Sequence, residues 1–190
     1  SGGFTASPRG GAVPPLPSPS AIEPKVSFAI EATTWCLRGT TDLAHLGETV
    51  ERLESQLRQA TLAEPAGGSR YLRYQVWEPP DKIEVEVGLI LPEGRPAPAP
   101  LRIGHLPGGK VAKLVHAGPY DNLLEGHEGL RQWAAKQGLK PAGGSYSVFR
   151  IGSDLQPVAA RWETDLCLPL SNSRGLGKPT PAGHPQTSKD

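Results

Sequence analysis

The stretch that decides the fold runs from residue 109 to residue 170. It begins GKVAKLVHAGPYDNLLEGHEGLRQWAAKQGLKPAGG at residue 109, continues SYSVF from residue 145 and ends RWETDLCLPL at residues 161–170. The spacing of its apolar and turn residues predicts a strand, a Gly-Pro turn, an amphipathic helix and two further strands.

The last of these strands carries two carboxylates. Glu163 and Asp165 are two positions apart, and successive strand residues face opposite ways, so both project from one face of the sheet. The other face is predicted to hold Trp162, Leu166 and Leu168. Acids on a strand that also packs a core indicate an anionic cleft.

The same unit occurs earlier in the chain. The first copy is predicted as strand, helix, strand and strand at Lys25–Leu37, Leu43–Ala60, Tyr71–Trp77 and Ile83–Leu91. The second copy follows at Val111–Ala117, Asp121–Gln137, Tyr146–Ile151 and Trp162–Leu170. Arg73 and Arg150 correspond at a separation of 77 residues, and Glu86 and Asp165 at a separation of 79.

We therefore predict an α+β fold made of a duplicated strand–helix–strand–strand module. Two antiparallel sheets join edge to edge, with the helices on one face and a ligand cleft on the other. The domain is expected over residues 23–170, with repeats at about 24–91 and 101–170 around a Pro/Ala linker at 92–100. Composition predicts a disordered arm at 1–22 and a disordered tail at 171–190.

Composition excludes several classes of function. The net charge is +1, which leaves no electrostatic footprint for nucleic acid or an anionic membrane. No apolar run reaches the roughly 20 residues that span a bilayer, and no signal peptide is visible. The two cysteines are expected to be buried free thiols in a reducing cytoplasm. The five histidines lack metal-ligand spacing, so neither a metal nor another cofactor is predicted.

Alternation along the strands assigns the candidate cleft residues. In IEVEVGLIL, the apolar side chains from Ile83 to Leu89 are predicted to pack on a helix, which places Glu84 and Glu86 in the cleft. In the first strand, Val26, Phe28 and Ile30 are predicted to pack inward, which leaves Trp35 on the cleft side.

The parity of Tyr71–Trp77 stays open. Leu72 and Val76 favour a cleft position for Tyr71 and Trp77, whereas a bulge would exchange the faces. The acids themselves also have two interpretations. They either line a ligand site or lie solvated on the sheet, paired with Arg73, Arg150 or Lys113. For Glu84 and Glu86 the second interpretation is the simpler one.

Four segments together resemble the GyrI-like small-molecule-binding domains, which also serve as effector-binding domains of bacterial drug-sensing regulators. The segments are LPGGKVAKLVHAGPY, the helix with Leu130 and Trp133, RYQVWEPPDKIEVEVGLILP and WETDLCLPL. The resemblance implies a pocket between the repeats, where an acid on the last strand meets a ligand cation and tyrosines surround it. By register that acid is Asp165, with Glu163 beside it, and the tyrosine after the Gly-Pro turn is Tyr120.

The resemblance and the parity argument give a set of candidate ligand-binding residues: Glu163, Asp165, Tyr120, Trp35, Tyr71, Tyr74, Trp77, Glu86 and His116. The expected ligands are hydrophobic, aromatic and often cationic small molecules, held by charge pairing and cation–π contact for sequestration or sensing. A stand-alone member is expected not to bind DNA, because the 22 Pro-rich residues before the fold are too few and too polar for a helix-turn-helix.

Two other functions stay open. Some relatives are hydrolases that open cyclopropane rings of genotoxic natural products. Here Glu163 would activate a water and Tyr120 would donate a proton. This chain has Ser147-Val148-Phe149 where many relatives have Glu-x-Tyr, so it lacks one acid and one hydroxyl. A third possibility is inhibition of a protein partner, as in the gyrase-inhibitory relatives.

Overall fold

The structure is a computed structural model that describes residues 23–63, 67–91 and 95–172. Its strands are β1 (Lys25–Ala29), β2 (Ala32–Thr41), β3 (Arg70–Glu78), β4 (Lys82–Ile90), β5 (Arg102–Leu106), β6 (Gly109–Ala117), β7 (Tyr146–Ile151) and β8 (Glu163–Pro169). Its helices are α1 (Leu46–Thr61) and α2 (Leu123–Lys136), and single 3₁₀ turns lie at Tyr120–Asn122 and Ala159–Arg161. The predicted arm and nearly all of the predicted tail lie outside the described residues.

The strands form one antiparallel sheet in the order β1-β6-β8-β7-β3-β4-β2-β5. Each repeat contributes three neighbouring strands, with β4 between β2 and β3 and β8 between β6 and β7. The two halves join where β3 pairs with β7. The α+β fold with a duplicated module is confirmed, because β4 and β8 hold equivalent central positions.

The sheet closes on itself because β1 continues into β2, and β5 into β6, through short bends. β1 pairs with β6 and β2 with β5 in a single continuing register, from Lys25 opposite Lys113 to Cys36 opposite Arg102. Only residues 30–31 separate β1 from β2, and only residues 107–108 separate β5 from β6. Since β1 and β5 stand at opposite ends of the strand order, these short connections require the sheet to curl. Its concave face is the one turned away from the helices.

The helices cover the convex face with regularly spaced side chains. The buried residues of α1 are Leu46, Thr49, Leu53 and Leu57, and those of α2 are Leu123, His127, Leu130 and Ala134. This spacing of three or four residues forms one apolar stripe on each helix. α2 ends at Lys136, and Gly138 just beyond it has a φ of 70°, in the left-handed region that glycine adopts at low cost.

The predicted core is confirmed. Seven side chains expected between the helices and the sheet are buried: Leu53, Leu57, Val85, Val87, Leu130, Leu166 and Leu168. Burial of a leucine side chain contributes about 1.5–3 kcal/mol. This layer therefore fixes the sheet and, with it, the residues that project from the opposite face.

The N-terminal strand differs from the prediction. The sequence predicts one strand over Lys25–Leu37, but residues 30–31 break it into β1 and β2. The expectation that Val26, Phe28 and Ile30 pack inward is wrong, since they are 42%, 76% and 91% exposed. The physical reason is that β1 crosses to the other half of the sheet and pairs with β6. There, Val26 and Phe28 line an open groove beside Trp133 and Leu139.

The sequence also failed to predict β5. The run RIGHL is short and contains Gly104, which weakens a strand pattern. The glycine has a packing reason, because a Cβ there would lie 2.6 Å from Thr34 Oγ1 and 2.8 Å from Cys36 Sγ. Close approach of β5 to β2 therefore requires glycine.

Candidate functional site

The concave face is defined by its cross-strand pairs, because directly opposed residues of antiparallel strands project from the same side. Arg38 and Arg73 both oppose Glu86, while Lys113 and Tyr146 both oppose Cys167. A small apolar cluster lies on this face, formed by Cys36, Tyr71, Leu106, Tyr146 and Cys167. The concave face thus combines apolar walls with charged groups, as small-molecule sites generally do.

Glu86 lies at the centre of a closed hydrogen-bond network in the first half. Tyr71 donates its hydroxyl to Oε1 at 2.6 Å, while Arg38 Nε and Gln75 Nε2 donate to Oε2 at 2.8 and 2.9 Å. The tyrosine hydroxyl also lies 2.8 Å from Thr34 Oγ1. Glu86 is fully buried, and both of its oxygens are occupied. A buried carboxylate with this set of partners is stabilised in place.

Asp165 occupies the equivalent place in the second half, but with looser partners. Its Oδ1 lies 2.8 Å from Arg150 Nε, and its Oδ2 lies 3.4 Å from Lys113 Nζ. Arg150 also reaches Glu163, at 3.2 Å. The Asp165 side chain is 9% exposed, whereas the Glu163 side chain is 43% exposed. Asp165 is therefore a nearly buried charge, and Glu163 is a rim residue.

A cavity of about 500 Å³ opens next to Asp165. Its walls come from β1, the β1–β2 connection, the start of β2, the ends of β4 and β5, and β6, β7 and β8. Its charged lining residues are Glu31, Lys113 and Asp165, and Leu106, Tyr146 and Cys167 add apolar and aromatic surface. Glu86 does not line this cavity. The volume lies within the range typical of small-molecule sites.

The tyrosines and cysteines of the concave face are shifted toward their neutral forms. Burial raises the pKa of Tyr71, and the hydrogen bond to the Glu86 carboxylate raises it further. Burial likewise raises the pKa of Tyr146, and the neighbouring Cys167 thiol adds to the rise. The pKa of Cys167 rises to about 11 because of burial and the nearby Asp165 charge. Both tyrosines consequently remain hydrogen-bond donors, and the thiol remains protonated at neutral pH.

The structure brings four of the nine predicted residues to the concave face: Glu163, Asp165, Tyr71 and Glu86. Of these, only Asp165 lines the cavity within the described part of the chain. Tyr71 and Glu86 face the same interior, but they bind each other. The two acids of the last strand therefore have different environments.

The other five predicted residues lie on the helix side, so the expectation of a cleft position is wrong for them. Trp35, Tyr74 and Trp77 belong to the main core or pack against it. Tyr74 lies before the β-bulge, and its alternation with Tyr71 places it under α2. The bulge between Tyr74 and Val76 then turns Trp77 to the same side. Arg131 of α2 lies over the Trp77 ring, 5.7 Å from its centroid.

Tyr120 and His116 are likewise on the helix side. Tyr120 stacks on Trp162 with ring centroids 4.6 Å apart and meets the edge of Phe149. His116 opposes Thr164, and its Nε2 lies 2.9 Å from the Pro119 carbonyl oxygen. Tyr120 and Glu163, the predicted catalytic pair, therefore project from opposite faces of the sheet.

Sequence reasoning missed Tyr146, Arg38 and Gln75 as concave-face residues. The alternation of β7 could have revealed Tyr146. Ser147 and Phe149 share one face of the strand, and Tyr146 lies on the other, so only one of these two sets can pack in the core. Gln75 is the residue added by the bulge, which periodicity does not reveal. Lys113 and Arg150 were expected as partners of the acids, and both do pair with Asp165.

Several expected absences concern the described residues alone. Within residues 23–63, 67–91 and 95–172, no group of three His, Cys, Asp or Glu side chains could hold a metal ion. None of the helices in these ranges is long and apolar enough to cross a bilayer. Cys36 and Cys167 are free and buried, as predicted.

The duplicated fold with a ligand-sized cavity on its concave face defines a class of small-molecule-binding domain. Residues 34–171 match the GyrI-like small-molecule-binding domain, so the chain belongs to the GyrI-like family. No curated protein matches the chain by sequence.

Solved structures share the fold at low sequence identity. The C-terminal domain of EcmrR is 16% identical with a TM-score of 0.63, and the match covers 79% of this chain and 98% of that one. EcmrR in complex with DNA is also 16% identical, with a TM-score of 0.66 and 78% of this chain covered. The chain spans 57% of the length of that protein. SAV2435 bound to tetraphenylphosphonium is 12% identical with a TM-score of 0.58, covering 80% of this chain and 95% of that one.

Proposed function

We propose that the cavity beside Asp165 binds hydrophobic, aromatic small molecules, with a preference for those that carry a positive charge. The observation that supports this most directly is a nearly buried carboxylate in the wall of a cavity whose lining mixes apolar and polar side chains. The apolar part of the lining contributes affinity without strict shape requirements, and the nearly buried acid, Asp165, selects for cations. Tyr146 adds an aromatic wall that carries a hydroxyl donor.

Such a site suits either drug sequestration or effector sensing. SAV2435, which has the same fold, was solved with the lipophilic cation tetraphenylphosphonium bound. A sensing role would couple the cavity to DNA through another protein segment, as in regulators of the EcmrR type. We propose no direct contact of the described domain with nucleic acid, because the net charge of the chain is only +1.

We place binding ahead of hydrolysis. The glutamate–tyrosine pair proposed for hydrolysis, Glu163 and Tyr120, is divided between the two faces of the sheet. Another such pair, Glu86 and Tyr71, does meet on the concave face, but its carboxylate is fully buried and already accepts three hydrogen bonds. A general base needs a free lone pair within reach of a water molecule.

Titration with tetraphenylphosphonium tests the proposal, using Asp165→Asn and Glu163→Gln as a matched pair. Both acids lie on β8 and face the same side, but only Asp165 lines the cavity. Asp165→Asn should weaken the cation by about tenfold or more, since a charged contact contributes about 1.5–3 kcal/mol. Glu163→Gln should change it much less. Triphenylphosphine oxide, which is neutral, should bind both variants like the original protein. Equal losses for all probes would contradict a charge-selective site.

A further inference from the structure

We propose that Lys113 occupies, in the ligand-free protein, the position that a ligand's cationic group takes beside Asp165. The Lys113 ammonium would then be a tethered competitor that every cationic ligand must displace. This inference rests on the proposed function and adds a residue that determines specificity. It follows from the unequal way in which two basic residues hold one carboxylate.

Arg150 is the permanent partner of Asp165. Its Nε lies 2.8 Å from Oδ1, and its Nη1 lies 3.2 Å from a Glu163 oxygen, so the guanidinium is held by two acids. A planar guanidinium between two carboxylates is held by two ion pairs at once. Arg150 does not line the cavity beside Asp165. A ligand in that cavity would therefore leave this pair undisturbed.

Lys113 is the replaceable partner. Its Nζ lies 3.4 Å from Asp165 Oδ2, and within the described part of the chain this is its only ion pair. The side chain is 30% exposed and lines the cavity. A lysine ammonium on a flexible four-carbon stem can move out to solvent at little cost. The oxygen that Lys113 contacts is thus the one that a ligand cation can reach.

The neighbouring charges set the direction of this equilibrium. Lys25 lies directly opposite Lys113 across the β1–β6 ladder, on the same face. Like charges at directly opposed strand positions repel, which favours the arrangement with Lys113 turned toward Asp165. Lys113 and Arg150 pair with Asp165 and Glu163, so the charge of Asp165 is balanced by its own partners before a ligand enters. Glu31 also lines the cavity, and a ligand cation gains access to the Asp165 carboxylate only when Lys113 leaves it.

A simple competition gives the size of the effect. The apparent affinity for a cation is the intrinsic affinity multiplied by the fraction of time in which Lys113 leaves Asp165 free. For a part-exposed ion pair, the paired arrangement is populated up to about five times as much as the unpaired one. Removing the lysine charge also removes its repulsion of the ligand. Together these effects predict that a neutral residue at 113 tightens a lipophilic cation by about five- to tenfold.

The experiment compares Lys113→Gln and Lys113→Arg by fluorescence-monitored titration with two probes of nearly the same shape and opposite charge, tetraphenylphosphonium and tetraphenylborate. Lys110→Gln is the matched control, because Lys110 lies on the same strand but opposes Phe28 on the other face. It removes the same charge at a residue that does not itself line the cavity beside Asp165 and forms no ion pair with that acid within the described residues. Thermal unfolding of each variant verifies that it is folded.

We expect Lys113→Gln to tighten tetraphenylphosphonium five- to tenfold and to weaken tetraphenylborate, with Lys113→Arg and Lys110→Gln close to the original protein. Unchanged cation binding in Lys113→Gln, together with a loss in Asp165→Asn, would overturn the role of Lys113 and leave the proposed function intact. Equal shifts for both probes would also overturn it, since shape and not charge would then have changed. Failure of the original protein and of Lys113→Gln to bind the cation would overturn both proposals.

Discussion

The buried histidine of α2 makes the stability of this domain depend on pH in a calculable way. His127 lies under the sheet with its Nε2 2.7 Å from Ser147 Oγ and its ring against the Tyr74 ring. Its Nδ1 has no hydrogen-bond partner within the described residues. Burial lowers the pKa of His127 to about 3, and the charges of Arg131 and His116 act in the same direction.

The sign follows from proton uptake. Between pH 6.5 and pH 3 an unfolded His127 binds a proton that the folded protein excludes, so acid favours the unfolded state. The stabilisation is complete above the unfolded pKa of about 6.5 and is lost as the pH falls toward 3. Between pH 7 and pH 5 this single group should lower the free energy of unfolding by about 2 kcal/mol.

The assay is urea unfolding followed by tryptophan fluorescence at pH 7, 6 and 5, for the original protein and for His127→Gln. Glutamine can still donate to Ser147 Oγ but does not titrate. The variant should be less stable at pH 7, and the difference between the two proteins should shrink by about 2 kcal/mol at pH 5. His105→Gln removes an exposed histidine and should keep the original pH dependence. Parallel curves for the original protein and His127→Gln would refute the argument.

Three further results are expected. Leu166→Ala should lower the free energy of unfolding by about 2–5 kcal/mol in urea titrations, because Leu166 is fully buried under α2; a loss below 1 kcal/mol would mean the core is misplaced. Glu86→Gln should destabilise the fold by about 1–3 kcal/mol while tetraphenylphosphonium affinity stays within twofold, which separates it from Asp165→Asn. Cys167 should resist iodoacetamide at pH 8 and react faster as the pH approaches its raised pKa of about 11, as mass spectrometry would show.

The sequence predicted the parts of the fold that rest on local periodicity. Both helices, the duplication and the buried faces of β4 and β8 follow from the spacing of apolar residues. These elements also position Glu86 and Asp165, which is why the two acids were assigned to the correct face.

What the sequence could not show was the exchange of edge strands between the halves. In β1, even-numbered residues such as Val26 share the helix side with Ala112, whereas in β2 the even-numbered Cys36 faces the concave side. The bend at residues 30–31 therefore reverses which parity is buried, and Trp35 falls on the helix side. Alternation is a reliable guide only within an unbroken strand. The bulge in β3 had the same effect on Trp77, which follows it.

The duplication placed an acid at the same position in both halves, and the neighbours of each acid decide its role. Beside Glu86, the arginine, glutamine and tyrosine contacts close around both oxygens, so that acid supports the fold. In the second half, Lys113 holds the strand position that Cys36 holds in the first half. It lies beside Asp165, and the cavity opens at the Lys113 side chain. One half thus fixes its carboxylate permanently, while the other neutralises it with a partner that can leave. A carboxylate with a removable partner can stay nearly buried in the free protein and still exchange its charge for a ligand's.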